Sequence, residues 1–93
     1  MTEPNPTPTA HGISKDVVAA HLEGEAVLLH LGTKQYYRLN ETGAAIWKSL
    51  EQRDDVATTV KRLVEEFEVD AATAETEVHR VLAELRERDL IES

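Results

Sequence analysis

The side chains best suited to move protons or hold a metal near neutral pH are four histidines, His11, His21, His30 and His79. A metal site needs several such ligands at short, defined spacings. None of these histidines has a second His or a Cys at such a spacing, and no HExxH pattern occurs. Acidic residues are plentiful, but Glu65-Glu66 and the run Glu84 to Glu87 read as solvated helix surface. Ser14, Ser49 and Ser93 lack any triad context, and neither a P-loop nor a dinucleotide fingerprint is present. With no cysteine there is no thiolate nucleophile, no zinc–thiolate site and no disulfide framework. These residues predict a chain that is not an enzyme and that needs no metal or cofactor. What the chain offers instead is surface, and the elements that shape that surface carry the functional reading.

Ninety-three residues make one domain, and 41% apolar residues suffice for one small core. The formal net charge is −8, from 18 acidic against 10 Lys and Arg residues. Such a balance repels phosphate backbones and disfavours nucleic acid, while a basic peptide is drawn to it. No N-terminal apolar run resembles a signal peptide, and no stretch approaches the ~20 residues of a membrane span, so a cytoplasmic protein without a membrane partner is expected.

Along the chain, residues 1–12 carry Pro4, Pro6 and Pro8 and read as a disordered Pro/Thr tail; the domain proper spans 13–93. Ile13 to Leu22 is predicted as a first strand, with Glu23-Gly24 as a two-residue hairpin turn. Glu25 to Leu31 is a second strand in which Val27, Leu29 and Leu31 share one face, leaving His30 partly exposed on the other. Gly32-Thr33 is expected as a type II′ turn, and Lys34 to Leu39 as a third strand. The period then becomes helical. Asn40 caps a first helix reaching about Gln52. Asp54 or Asp55 caps a second carrying Val56, Val60, Leu63, Val64 and Phe67. Asp70 caps a third carrying Ala71, Ala74, Val78, Val81, Leu82 and Leu85. Leu90 and Ile91 return to the core. The fold class is α+β, a three-stranded antiparallel β-meander followed by a three-helix bundle.

The third strand lies at the edge of this sheet, where unpaired N–H and C=O groups are open to an added strand. Lys34, Gln35, Tyr36, Tyr37, Arg38 and Leu39 are therefore candidate peptide-binding residues. One tyrosine packs in the core and the other lines the cleft; spacing does not decide which. The third helix supplies the second wall. Its apolar stripe widens at Leu82, so Glu75, Val78, His79, Leu82 and Arg86 are chosen over the charged flank of Glu77, Glu84 and Arg88. Asp70 joins them as a candidate, and Asp70 and Glu75 make an acidic rim. Leu82→Asp is expected to weaken binding without unfolding the chain.

The run Tyr37-Arg38-Leu39-Asn40-Glu41-Thr42-Gly43-Ala44-Ala45-Ile46-Trp47, with Val27-Leu28-Leu29 before it and Leu90-Ile91 after the last helix, resembles the PqqD-like family of peptide recognition elements. The resemblance covers roughly Val17 to Ile91. It implies a winged-helix-like fold and a non-catalytic role: binding the leader of a ribosomally made precursor between the third strand and third helix, and presenting it to modifying enzymes. Among such proteins the chain looks most like the discrete recognition protein of lasso-peptide pathways. That implies a cysteine-protease-type leader peptidase and an ATP-dependent macrocyclase as partners. The alternatives are a peptide chaperone serving a radical enzyme of pyrroloquinoline quinone synthesis and a winged-helix DNA-binding domain.

Overall fold

In the computed structural model, which describes residues 12–92, two short strands bracket the domain. β1 (Gly12–Ile13) pairs antiparallel with β5 (Ile91–Glu92). Gly12, assigned above to the tail, is therefore part of a strand ladder; residues 1–11 lie outside the described residues. Leu90 and Ile91 are buried, as expected of an apolar pair after the last helix.

The meander consists of β2 (Val17–Leu22), β3 (Glu25–His30) and β4 (Gln35–Leu39), in the order β2-β3-β4. The β2–β3 turn is Glu23-Gly24, closed by Leu22 opposite Glu25, with Gly24 at φ 72°. The β3–β4 connection differs from the expected two-residue turn. Four residues, Leu31 to Lys34, join His30 to Gln35, and the left-handed residue is Lys34 at φ 64°. Gly32 serves instead by its lack of a side chain: a Cβ there would lie 3.0 Å from His30 Cε1. His30 Nδ1 accepts from the N–H groups of Gly32 and Thr33 at 3.0 and 3.2 Å, so the ring is the internal cap of this loop.

That role reverses the faces expected for β3. Ala26 and Leu28 are fully buried and His30 nearly so, whereas Val27 and Leu29 are half-buried and Leu31 is exposed. Register is the reason. Leu28 stands opposite Tyr37 and Ala26 opposite Leu39, so once Tyr37 and Leu39 turn to the helices their partners must follow. The more hydrophobic series is left on the outer face with Val18, Leu22 and Tyr36, all more than half exposed.

The helices are α1 (Glu41–Glu51), α2 (Val56–Phe67) and α3 (Ala71–Glu87). Asn40, Asp55 and Asp70 cap them, each accepting from the backbone N–H three residues on, at 2.8 to 2.9 Å. Glu68, in the left-handed region at φ 55°, stops α2. The core joins Leu28 of the sheet to Ile46, Trp47 and Leu50 of α1, Leu63 of α2, and Ala74, Val78, Val81, Leu82 and Leu85 of α3. Buried polar groups find partners. Trp47 Nε1 donates to Glu51 at 3.0 Å, and Glu51 also meets His21 Nε2 at 3.0 Å, tying β2 to α1. Arg62 Nε donates to the buried Ser49 Oγ at 2.9 Å and the same guanidinium reaches Asp54, which joins α2 to the end of α1.

Two outcomes follow. Leu28→Ala removes a buried side chain touching both layers and is expected to cost about 2–5 kcal/mol in urea denaturation. The bonds from Thr58 and Thr73 hold the Asp55 and Asp70 carboxyls below the ordinary carboxylate range. The stability they contribute is thus complete above that range and is lost as pH falls through the lowered folded-state values. Asp55→Asn with Asp70→Asn keeps a capping oxygen but should flatten this part of the dependence of melting temperature on pH below about 4.

Candidate functional site

β4 is paired on one side by β3, and no other strand among the described residues lies on its far side. Antiparallel ladders alternate paired and outward-facing residues. The tight turn makes Leu22 and Glu25 a bonded pair. The alternate residues Ala26, Leu28 and His30 then bond toward β4, to Leu39, Tyr37 and Gln35. The bond from Lys34 N–H to the His30 carbonyl, 2.7 Å, gives the same phase from the other end. Tyr36 and Arg38 therefore each turn one N–H and one C=O away from the sheet, at the free edge.

Beside this edge runs a cleft of about 440 Å³, lined from β4 by Tyr36, Tyr37, Arg38 and Leu39, from α1 by Asn40 and Gly43, and from α3 and its C-terminal turn by Arg80, Val81, Glu84, Leu85, Arg88 and Leu90. Its floor is apolar: Leu39 is half-buried, while Val81, Leu85 and Leu90 are buried. Tyr37 answers the question left open between the two tyrosines. It packs against the core on the helix side, its hydroxyl donates to Gln35 at 2.8 Å, and the Arg88 guanidinium lies over its ring, 5.0 Å from the centroid. Tyr36 is 70% exposed on the outer face and meets the cleft only along the edge. A second hollow of about 710 Å³ lies by the β2–β3 hairpin, between His21, Leu22, Ala44, Lys48 and Phe67. None of its lining residues comes from the β4 edge or from α3.

The α3 wall is the flank passed over in the sequence reading. Val78 and Leu82 are buried core residues that do not line the cleft, so an aspartate at Leu82 would bury a charge and unfold the chain rather than test a groove. Glu75 and His79 form a loose, exposed pair at 3.9 Å away from the cleft. Asp70 is spent on its cap, and Arg86 lines a polar hollow with His30, Asp16 and Asp89. Lys34 and Gln35 lead into the edge without lining the cleft. The rim is correspondingly not acidic. Arg38, Arg80 and Arg88 line it against one carboxylate, Glu84. Arg38 is held by Glu25 at 2.9 Å, and that hydrogen bond raises its pKa further. Arg80 donates twice to Glu77, which raises Arg80 and lowers Glu77.

Signals for the missed wall were present but degenerate. Val81 and Leu85 are four apart on the same stripe as Val78 and Leu82, and the i,i+4 charges around them look like any wet helix face. No group of three His, Cys, Asp or Glu among the described residues is placed to hold a metal. No helix among them is long and apolar enough to cross a membrane.

The model of the family described as coenzyme PQQ synthesis protein D (PqqD) matches residues 25–91, which takes in the β3–β4 hairpin, all three helices and Ile91. The chain belongs to the PqqD family. This PqqD-family chain is also similar to TbiB1, solved in complex with the TbiA(beta) leader peptide: 36% identity, 88% of this chain and 95% of that one covered, TM-score 0.84. A lasso peptide synthetase B1 solved with its leader peptide shares the fold at TM-score 0.82, with 24% identity over 89% of this chain and 98% of the other. No curated protein matches the sequence.

The edge assignment has a direct check. Arg38→Pro removes an N–H that points outward and should leave the melting temperature within a few degrees, as proline on a free edge does. Tyr37→Pro removes a ladder bond to Leu28 and should lower it sharply. Equal losses in the two variants would reverse the assignment.

Proposed function

We propose that this chain binds an extended peptide as a fourth strand on β4, in the cleft beside α3, and that the peptide is the leader of a ribosomally made precursor. The observation that carries this is the pair of outward backbone donors and acceptors at Tyr36 and Arg38, set above an apolar floor. Family membership and similarity to TbiB1, a protein solved with a leader peptide bound, support it. The chain then acts as a binding module, not a catalyst. It holds the precursor for a leader peptidase of the cysteine-protease type and an ATP-dependent macrocyclase, the partners of a lasso-peptide pathway.

Magnitudes say where affinity arises. About four edge bonds at ~1 kcal/mol each, net, fall short of the roughly −8 kcal/mol of a micromolar complex, before ordering costs are counted. Side chains that fill the Val81–Leu85–Leu90 floor must supply the difference.

The test is a titration of labelled TbiA(beta) leader peptide by fluorescence anisotropy. Arg38→Pro should weaken binding by about tenfold or more through its lost edge donor and cation. Glu75→Ala and His79→Ala, exposed and off the cleft, should leave it unchanged. If Arg38→Pro binds as tightly as the parent chain, strand addition at β4 is refuted.

A further inference from the structure

We propose that Arg88 is a specificity residue of this cleft and that it selects peptides carrying an Asp or Glu side chain at one fixed position. This rests on the strand-addition reading above and adds to it the chemistry of the occupant.

The chain as a whole is strongly acidic, at −8, so a random surface hollow should be rimmed by carboxylates. This cleft is lined by three guanidiniums and one carboxylate. Two of those guanidiniums are occupied. Arg38 is bonded to Glu25 at 2.9 Å, and Arg80 is gripped through Nε and Nη2 by Glu77.

Arg88 differs. Its one ionic neighbour among the described residues is Glu84, at 3.6 Å, and Glu84 also faces Arg80 Nη1 at 3.5 Å. One carboxylate thus serves two cations, and at these distances it accepts no short bond from either. Among the described residues the Arg88 side chain makes no hydrogen bond. It is 47% exposed, yet its Cζ sits over the Tyr37 ring, 5.0 Å from the centroid, in a cation–π contact, and the Gln35 bond orients that ring in turn. A guanidinium that makes no hydrogen bond keeps its in-plane N–H donors free, and those donors form a fork that matches a carboxylate. The result is a cation fixed in position inside the cleft with its donors unspent. An incoming strand that fills the apolar floor passes directly beside it. A carboxylate on that strand would complete the bonding, whereas an ammonium would face uncompensated repulsion.

The expected occupant is therefore an extended segment with apolar residues for the floor and one acidic side chain in register with Arg88. It is not the basic peptide that net charge alone would suggest.

The experiment pans the full chain against a displayed library of random peptides about twelve residues long, enough to span the cleft at ~3.3 Å per residue. Enriched peptides should lose binding to Arg38→Pro and should share Asp or Glu at one position relative to their apolar residues. Changing that residue to its amide in a synthetic enriched peptide should weaken binding to the parent chain about tenfold, the size of one charge-assisted bond at a half-exposed site. The same change should have no effect with Arg88→Gln, and Arg88→Glu should enrich Lys or Arg at that position. Circular dichroism of both variants, changed at an exposed residue, should match that of the parent chain. Enriched peptides that need the Arg38 edge but show no acidic position, or whose amide versions lose as much with Arg88→Gln, overturn the role of Arg88 and leave strand addition standing. A library yielding no peptide sensitive to Arg38→Pro overturns strand addition, and this inference with it.

Discussion

Asn40 stands between the last residue of β4 and the first of α1, and the arrangement of sheet, helices and cleft depends on the bond it makes. Its side chain accepts from Gly43 N–H at 2.9 Å, so the helix starts with no intervening loop. Gly43 is needed for the same join. A Cβ there would meet Leu39 Cβ at 3.3 Å and Asn40 Oδ1 at 3.4 Å, closer than ordinary packing. With no slack at the junction, the direction of β4 sets that of α1. The buried stripe of α1 then sets where α2 and α3 can pack. α3 comes to rest along the edge of β4, and the cleft is the space between them.

An open strand edge is ordinarily a hazard, since it offers its backbone to any extended chain. Here the edge is restricted by its length, its charge and its neighbour. β4 has five residues and carries Arg38, so few backbone groups are free and a cation flanks them. α3 walls the outer side, so a segment must fill an apolar floor and pass a charged rim to reach the edge. The rim is organised by ion pairs within the chain, among which Arg88 is held chiefly by an aromatic ring. Free backbone groups, an apolar floor and a charged rim thus meet on one narrow strip.

The outer face of the sheet shows how register overrides hydropathy. Val27 and Leu29 are more apolar than Ala26 and His30, yet they face away from the helices. The loop after β3 consumes His30 as its internal cap, and the pairing with Tyr37 and Leu39 turns the smaller side chains inward. A period of two names two alternating sets; cross-strand partners decide which of them is buried.

Much of this protein was legible in its sequence because it depends on local chemistry. Capping residues, the Glu23-Gly24 turn and the 3.6-residue stripes of the helices act over a few positions, so the order of elements, the Asn40 junction, the β4 edge and the family could be read without coordinates. What stayed hidden depends on how distant segments meet. Val78, Val81, Leu82 and Leu85 share one buried apolar stripe, and only the side from which β4 approaches brings Val81 and Leu85, but not Val78 and Leu82, to the lining of the cleft. The charged residues beside Val81 form a rim instead of a wet face for the same reason. Helical spacing records which residues share a stripe but carries no mark of which neighbour that stripe will meet, because that depends on the packing of all the layers at once.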